Sequence, residues 1–378
     1  MLIQCTKSFL DKFWLKGNEF AESEGAEEYP NSLMAWHGNF VSIGRKKAIV
    51  LMNNETRYPV VIYRPSKKDF SQIEDLISEA IATAFRMEGI HEDVIDAYLA
   101  KAGEISYSKT GSKSMVAKMN NTVREVQFSE QFLDDEERIQ KHISIITGRM
   151  IQLSEGSKGF YPIEKLLTCL SEQFYQNNPV LDIDMYQLKI QVDIEGHEIW
   201  RRVLVPSTFS FRSLHHIIQI VFDWQNYHLH EFIIEREDSK PLQIVMDDDP
   251  ETLAYLNFDE YEVRQERLVI LKDVFPKHGE VTYEYDFGDS WVHKLILEKV
   301  VKSQHYQAVF IEGEGERPPE DVGGEGGFEY FTQIMANMEH PEYENMKMWA
   351  ESQIGRVLSQ EMINKRLKHV ISGYFSYV

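Results

Sequence analysis

The sequence predicts an α+β protein of two domains, each a mixed or antiparallel sheet with packed helices. Three observations lead there. The 378-residue chain exceeds the usual size of one domain, so two of about 150–200 residues are expected. Both halves interleave short strand patterns with amphipathic helix patterns. A stretch punctuated by Gly156, Gly159, Pro162 and Asn177-Asn-Pro179 separates them. The expected division is 1–155, a linker with a short helix over 156–184, and 185–378. Apolar residues make up 43% of the chain and aromatics 12%, enough for a core in each domain.

In the N-terminal half, Ala48–Met52 and Tyr58–Tyr63 read as strands joined by the turn-like Asn53-Asn-Glu-Thr56. A helix should follow, with Ser71 as N-cap, Glu74 completing a capping box and Gly89 past its end. Ile73, Leu76, Ile77, Ala80, Ile81, Ala84 and Phe85 give that helix one apolar stripe. A second helix is expected over Asp134–Leu153, with Asp134–Glu137 at its positive end and Ile139, Ile143, Ile146 and Met150 facing inward. Trp36-His37 reads as an anchor at the core edge.

The C-terminal half opens with a hairpin, Tyr186–Val192 and Ile199–Val205, turning at Glu195-Gly196 and closed by Pro206. Helix Phe211–Phe222 carries Leu214, Ile217, Ile218, Val221 and Phe222, the spacing that packs a helix on a sheet. Strand His228–Ile234 completes a β-grasp-like hairpin, helix and strand. Thr282–Phe287 and Ser290–Lys299 read as strands paired around Gly288-Asp289, and Phe328–Met338, Met346–Gln353 and Ser359–Ile371 as helices.

Charge is unevenly placed. Residues 1–150 hold 19 Lys and Arg against 22 Asp and Glu; the remainder holds 21 against 39. So acidic a C-terminal half repels phosphate backbones. Basic residues concentrate instead at Arg45, Lys46, Lys47, Arg57, Arg64, Lys67 and Lys68, a candidate nucleic-acid contact in the N-terminal domain. No apolar run approaches the roughly 20 residues of a membrane helix, and the N-terminus lacks a secretory pattern. Two cysteines, Cys5 and Cys169, form neither a disulfide framework nor a CxxC knuckle. A cytoplasmic protein without membrane contact is expected.

Several catalytic motifs are excluded. Asp286-Phe-Gly288 has no accompanying HRD loop or glycine loop with a strand lysine. Gly323–Gly327 lacks phosphate-loop spacing and sits among Glu320, Asp321 and Glu325, so it reads as a turn that caps a helix. His91-Glu, His197-Glu and His230-Glu each begin an HExxH pattern that none completes. One constellation survives. His228 and His230, two apart on a strand, should project from one face about 7 Å apart. If the Asp286–His293 hairpin adjoins them, Asp286, Asp289 and His293 complete a set fit for a divalent metal, with Glu231, Glu320 and Asp321 as supporting groups or a general base. The alternative is structural: half-buried sheet histidines, and aspartates that hydrogen-bond the Gly288 turn.

The ordered segments Ile199-Trp-Arg-Arg-Val-Leu-Val-Pro206, Leu214-His215, His228-Leu-His-Glu-Phe232, Tyr285-Asp-Phe-Gly-Asp-Ser-Trp-Val-His293 and Pro318-Pro-Glu-Asp-Val-Gly-Gly324 resemble the plasmid pRiA4b ORF-3-like family over roughly residues 184–355. The N-terminal half resembles an uncharacterised bacterial domain, best over Arg57–Tyr63. The resemblance implies an α+β fold in bacteria or archaea, often on mobile elements, with no assigned activity. Many relatives carry cysteines flanking Pro-Pro-Glu-Asp; here Arg317 and Val322 stand nearby, so a cysteine-based metal site is not expected.

The function expected from these residues is that of an interaction or regulatory protein. Its acidic C-terminal domain would bind a protein partner through a cleft of Trp200, Trp224, Tyr227, Tyr285, Trp291, Glu320 and Asp321. A metal-dependent hydrolase or nuclease centred on His228, His230 and His293 is the alternative. DNA binding through Arg45–Lys68 is the third reading.

Overall fold

In a computed structural model of the chain, strand Lys46–Asn53 (β3), with its apolar stretch Ala48–Met52, lies between Ala35–Ile43 (β2) and Pro59–Tyr63 (β4), antiparallel to both. The described residues are 1–13, 32–153, 159–174, 179–237, 239–246, 259–353, 359–368, 370–371 and 374–375. Gly156 and Asn177-Asn178 of the expected linker lie outside them. The chain divides into two units, Met1–Asp182 and Ile183–Val378.

In the first unit, Leu2–Cys5 (β1) pairs in parallel with β2 and with Ser106–Lys109 (β5), giving a five-stranded mixed sheet in the order β4-β3-β2-β1-β5. Every apolar residue expected on the stripe of the first long helix is buried in Ile73–Met87. Its start is not the expected capping box. A 3₁₀ turn over Asp69–Gln72 precedes it, Gln72 is the cap residue without a side-chain bond, and Ser71 Oγ donates to the Lys68 carbonyl.

The helix expected over Asp134–Leu153 is shorter, Lys141–Gly148. Gln140 Nε2 donates to the Asp134 and Glu137 carbonyls and holds the acidic stretch as a turn. Ile139 meanwhile bridges to Ile62 at the sheet edge. Trp36 and His37 are fully buried on β2. Helix Pro162–Phe174, placed by the sequence in a linker, lies in the first unit.

The second unit is built on an eight-stranded sheet. Its strands are Ile183–Val192 (β6), Trp200–Pro206 (β7), His230–Ile234 (β8), Leu242–Val245 (β9), Glu262–Gln265 (β10), Glu280–Tyr285 (β11), Trp291–Ser303 (β12) and Val309–Glu314 (β13). The spatial order is β10-β9-β8-β11-β12-β6-β7-β13, antiparallel except for β9 with β10. Helix Phe211–Phe222 covers one face with its predicted bounds and stripe, and Ser210 Oγ caps it by accepting from the Ser213 N–H. Hairpin, helix and strand follow in the expected order. Strand β8, however, is separated from the β6–β7 hairpin by the later hairpin β11–β12. No described helix is long and apolar enough to cross a membrane.

Candidate metal centre

Period-2 alternation decides where the histidines go, and it separates them. Strand β8 begins at His230, whose side chain joins the buried face with Phe232 and Ile234. His228 precedes the strand, so the same-face rule does not reach it. His230 Nε2 meets Glu266 Oε2 at 2.9 Å, and its ring stacks on His215 with centroids 3.5 Å apart.

His293 falls on the core face of β12 with Trp291 and Leu295. Its Nδ1–H donates to the Trp291 carbonyl at 2.9 Å, and its Nε2 accepts the Trp224 indole N–H at 3.3 Å. Neither His230 nor His293 joins His228 in one centre. A ligand set of His228, His230 and His293 is therefore not formed.

The burial of His293 carries a prediction. Desolvation pushes its imidazole down to about 4, against about 6.5 when unfolded. The neutral folded form contributes stability that is complete above about pH 6.5 and is lost as pH falls toward 4, about 3 kcal/mol in all. Chelator-treated protein unfolded with denaturant from pH 7 to pH 4 should lose stability with that sign. A His293→Gln variant should lose less; equal slopes would contradict this reading of the histidine.

What does assemble is a different set, drawn from three loops. His228 Nε2 lies 3.5 Å from Asp286 Oδ2, 3.6 Å from Glu320 Oε2 and 3.4 Å from Asp321 Oδ1. One ligand atom from each of His228, Asp286 and Asp321 falls within 4.8 Å of the others. Bonds of about 2.1 Å from a tetrahedral cation put neighbouring ligand atoms about 3.4 Å apart. None of the three contacts is a hydrogen bond: His228 Nε2 and Glu320 Oε2 are both buried atoms without a partner.

Glu320 stands outside that set of three and faces its imidazole nitrogen, His228 Nε2. Its side chain is 0% exposed, yet only Oε1 is engaged, by the Gln225 N–H at 2.6 Å. Burial raises its pKa, with the Gln225 hydrogen bond and Arg317 opposing. A buried carboxylate oxygen with nothing to accept costs stability unless a cation completes it.

The backbone is adapted to hold this arrangement. Seven described non-glycine residues have positive φ; five of them, Asp223, Asn226, Asp286, Ser290 and Asp321, lie in or beside these loops. Such conformations cost roughly 1 kcal/mol or more each and persist only where surroundings enforce them. Asp286 sits at φ 61° because its Oδ1 accepts from the Gly288 and Asp289 N–H groups, which leaves Oδ2 for the centre. Asp289 is turned away and accepts the Gly323 N–H. Gly324, at φ 67°, brings the Glu320 loop against that turn; a Cβ there would lie 2.9 Å from the Asp289 carbonyl oxygen. Tyr227 OH donates to Asp321 Oδ2 at 3.2 Å, and burial, with the Glu320 and Asp321 carboxylates adding to it, pushes the phenol up to about 12. The centre opens to solvent at Asp321 and Tyr227, which are 55% and 52% exposed.

The expected aromatic cleft does not form as one surface. Trp224, Tyr285 and Trp291 are 3%, 0% and 1% exposed, packed together beneath the Arg317 guanidinium, which sits 4.7 Å over the Trp224 ring. Trp200 alternates with Arg201 and Val203, which face Phe211–Phe222, and so lies on the opposite sheet face between Lys189 and Arg202.

The basic cluster of the first unit is also divided. Arg45, Lys46 and Lys47 are exposed at the β2–β3 turn, and Arg64, Lys67 and Lys68 reach the same end of the sheet, where the Arg64 N–H donates to the Lys47 carbonyl. Arg57 lies at the other end of β3, about 24 Å away at strand rise. It donates to the Leu153 carbonyl and covers the Phe160 ring.

Comparison with known proteins matches residues 184–365 to the model of the plasmid pRiA4b ORF-3-like protein family, and residues 2–165 to a domain of unknown function, DUF6933. An uncharacterized protein y4hQ of Sinorhizobium fredii is 27% identical over 168 residues, 44% of this chain and 80% of that one. The crystal structure of protein of unknown function MM3350 from Methanosarcina mazei Go1 is 32% identical, with a TM-score of 0.38, over 44% of this chain and 89% of that one. All the residues of the centre fall within the first matched range, and through that C-terminal unit the chain belongs to the plasmid pRiA4b ORF-3-like protein family.

Proposed function

We propose that the C-terminal unit binds one divalent cation at His228, Asp286, Glu320 and Asp321 and acts as a metal-dependent hydrolase. The observation that carries the reading is the fully buried Glu320 carboxylate, whose unpartnered Oε2 faces the unpartnered His228 Nε2 at 3.6 Å. One imidazole with three carboxylates suits the manganese-to-zinc range of first-row ions better than magnesium, which retains its waters, or calcium, which takes six to eight oxygens. Such a cation supplies Lewis-acid activation of water or of a polarised carbonyl. The protein's part is to hold four ligand groups on loops braced by two hairpins and to leave one side open at Asp321. The surrounding acidity disfavours nucleic acid as substrate.

Addition of Mn²⁺ or Zn²⁺ to chelator-stripped protein should raise its melting temperature. At a hundred times Kd the gain is about 2.7 kcal/mol, roughly 5–10 °C for a unit of this size. No shift with either ion would defeat the reading.

A further inference from the structure

A single segment, Asp223–His228, touches three of the four ligand groups. It supplies His228 itself. Its Gln225 N–H holds Glu320 Oε1 at 2.6 Å, and its Tyr227 hydroxyl holds Asp321 Oδ2 at 3.2 Å. Two of its residues, Asp223 and Asn226, have positive φ. A loop so strained keeps its shape only through its anchors.

One inward anchor is Asn226, whose Oδ1 lies 2.6 Å from His215 Nε2 on helix Phe211–Phe222. With the Gln219 amide nitrogen toward Tyr283, one set of hydrogen-bond directions satisfies Tyr283, His215 and Asn226 together. The Gln219 side-chain nitrogen only donates, and it reaches Tyr283 OH at 3.1 Å. The phenol oxygen accepts it and directs its own hydrogen to His215 Nδ1, 2.8 Å away. An imidazole that accepts at Nδ1 must carry its hydrogen on Nε2, the atom that faces Asn226 Oδ1. His215 is 2% exposed, so its tautomer and ring position are fixed by the core around it.

We propose that His215 is a positioning residue of the cation site: it touches none of the four ligand groups, and through Asn226 it holds the loop that carries or braces three of them. The inference rests on the cation-site reading. Supporting groups of this kind alter metal affinity by about 10- to 100-fold when removed.

The test is calorimetric titration of Mn²⁺ into the chelator-stripped full chain, for wild type, Asn226→Gly and Asn226→Asp. Glycine keeps the positive φ and removes the acceptor, and should weaken Mn²⁺ by 10- to 100-fold. Aspartate keeps an acceptor for the His215 Nε2–H and should bind within about threefold of wild type or more tightly. Wild-type affinity in Asn226→Gly would overturn the inference and leave the cation site standing. So would an Asn226→Asp variant as weak as Asn226→Gly, because the hydrogen bond would then not be what matters. A wild type that takes up no Mn²⁺ defeats the cation site itself, and this inference falls with it.

Discussion

Replacing Glu320 by glutamine should make the metal-free protein more stable and destroy its affinity for the cation. The amide oxygen still accepts the Gln225 N–H, so the loop keeps its anchor. The substitution removes a fully buried negative charge whose second oxygen has no partner. At neutral pH a carboxylate with a raised pKa contributes unfavourably. Its removal should therefore add about 1–2 kcal/mol, read as a melting temperature roughly 2–8 °C higher in chelator. Loss of one of four ligands should weaken Mn²⁺ or Zn²⁺ at least about 100-fold. Opposite movement of stability and affinity marks a residue retained for function. A variant that is less stable and still binds the ion would make Glu320 a structural acceptor.

The second large effect is expected at Trp224. Truncation to alanine removes a ring that is 3% exposed, stacks on Trp291, donates to His293 and lies under Arg317. The cost should be about 3–5 kcal/mol, as for other large core aromatics. Trp200→Ala, on the other face of the sheet, should cost less than about 1 kcal/mol beyond its cation–π partners Lys189 and Arg202. Denaturant unfolding of the two variants checks the contrast. Comparable, small losses would return Trp224 to the surface role its residue type suggested.

That contrast marks how far the sequence is legible. Local periodicity carries helix Phe211–Phe222 to the residue, because one apolar stripe packs on one sheet face. It also places the Asp286–Ser290 turn between two paired strands. It overreaches at Asp134–Leu153, where helical spacing of isoleucines continues through Ile139 although that residue bridges to a strand.

In the candidate site, His228 and Asp286 are legible as neighbours, since their loops join strands that pair. The separation of His228 from His230 is not, because it depends on the strand starting at the second histidine rather than the first. Glu320 and Asp321 stand out in the sequence only as supporting groups. Nothing local says that a loop more than thirty residues beyond Asp286 folds back onto its turn, or that one carboxylate is wholly buried there. The aromatic residues misled for a related reason: tryptophan is enriched both at interfaces and in cores, and only tertiary burial distinguishes the two.

Four residues from three loops form the proposed cation site. It is tested most directly by metal content after chelator treatment and reloading with Mn²⁺ or Zn²⁺, for wild type and a His228→Ala/Glu320→Gln double variant that keeps its far-ultraviolet circular dichroism. About one equivalent per wild-type chain is expected, and less than about a tenth in the folded double variant. A wild-type chain that retains less than about a tenth of an equivalent, or a double variant that retains as much as wild type, would contradict it.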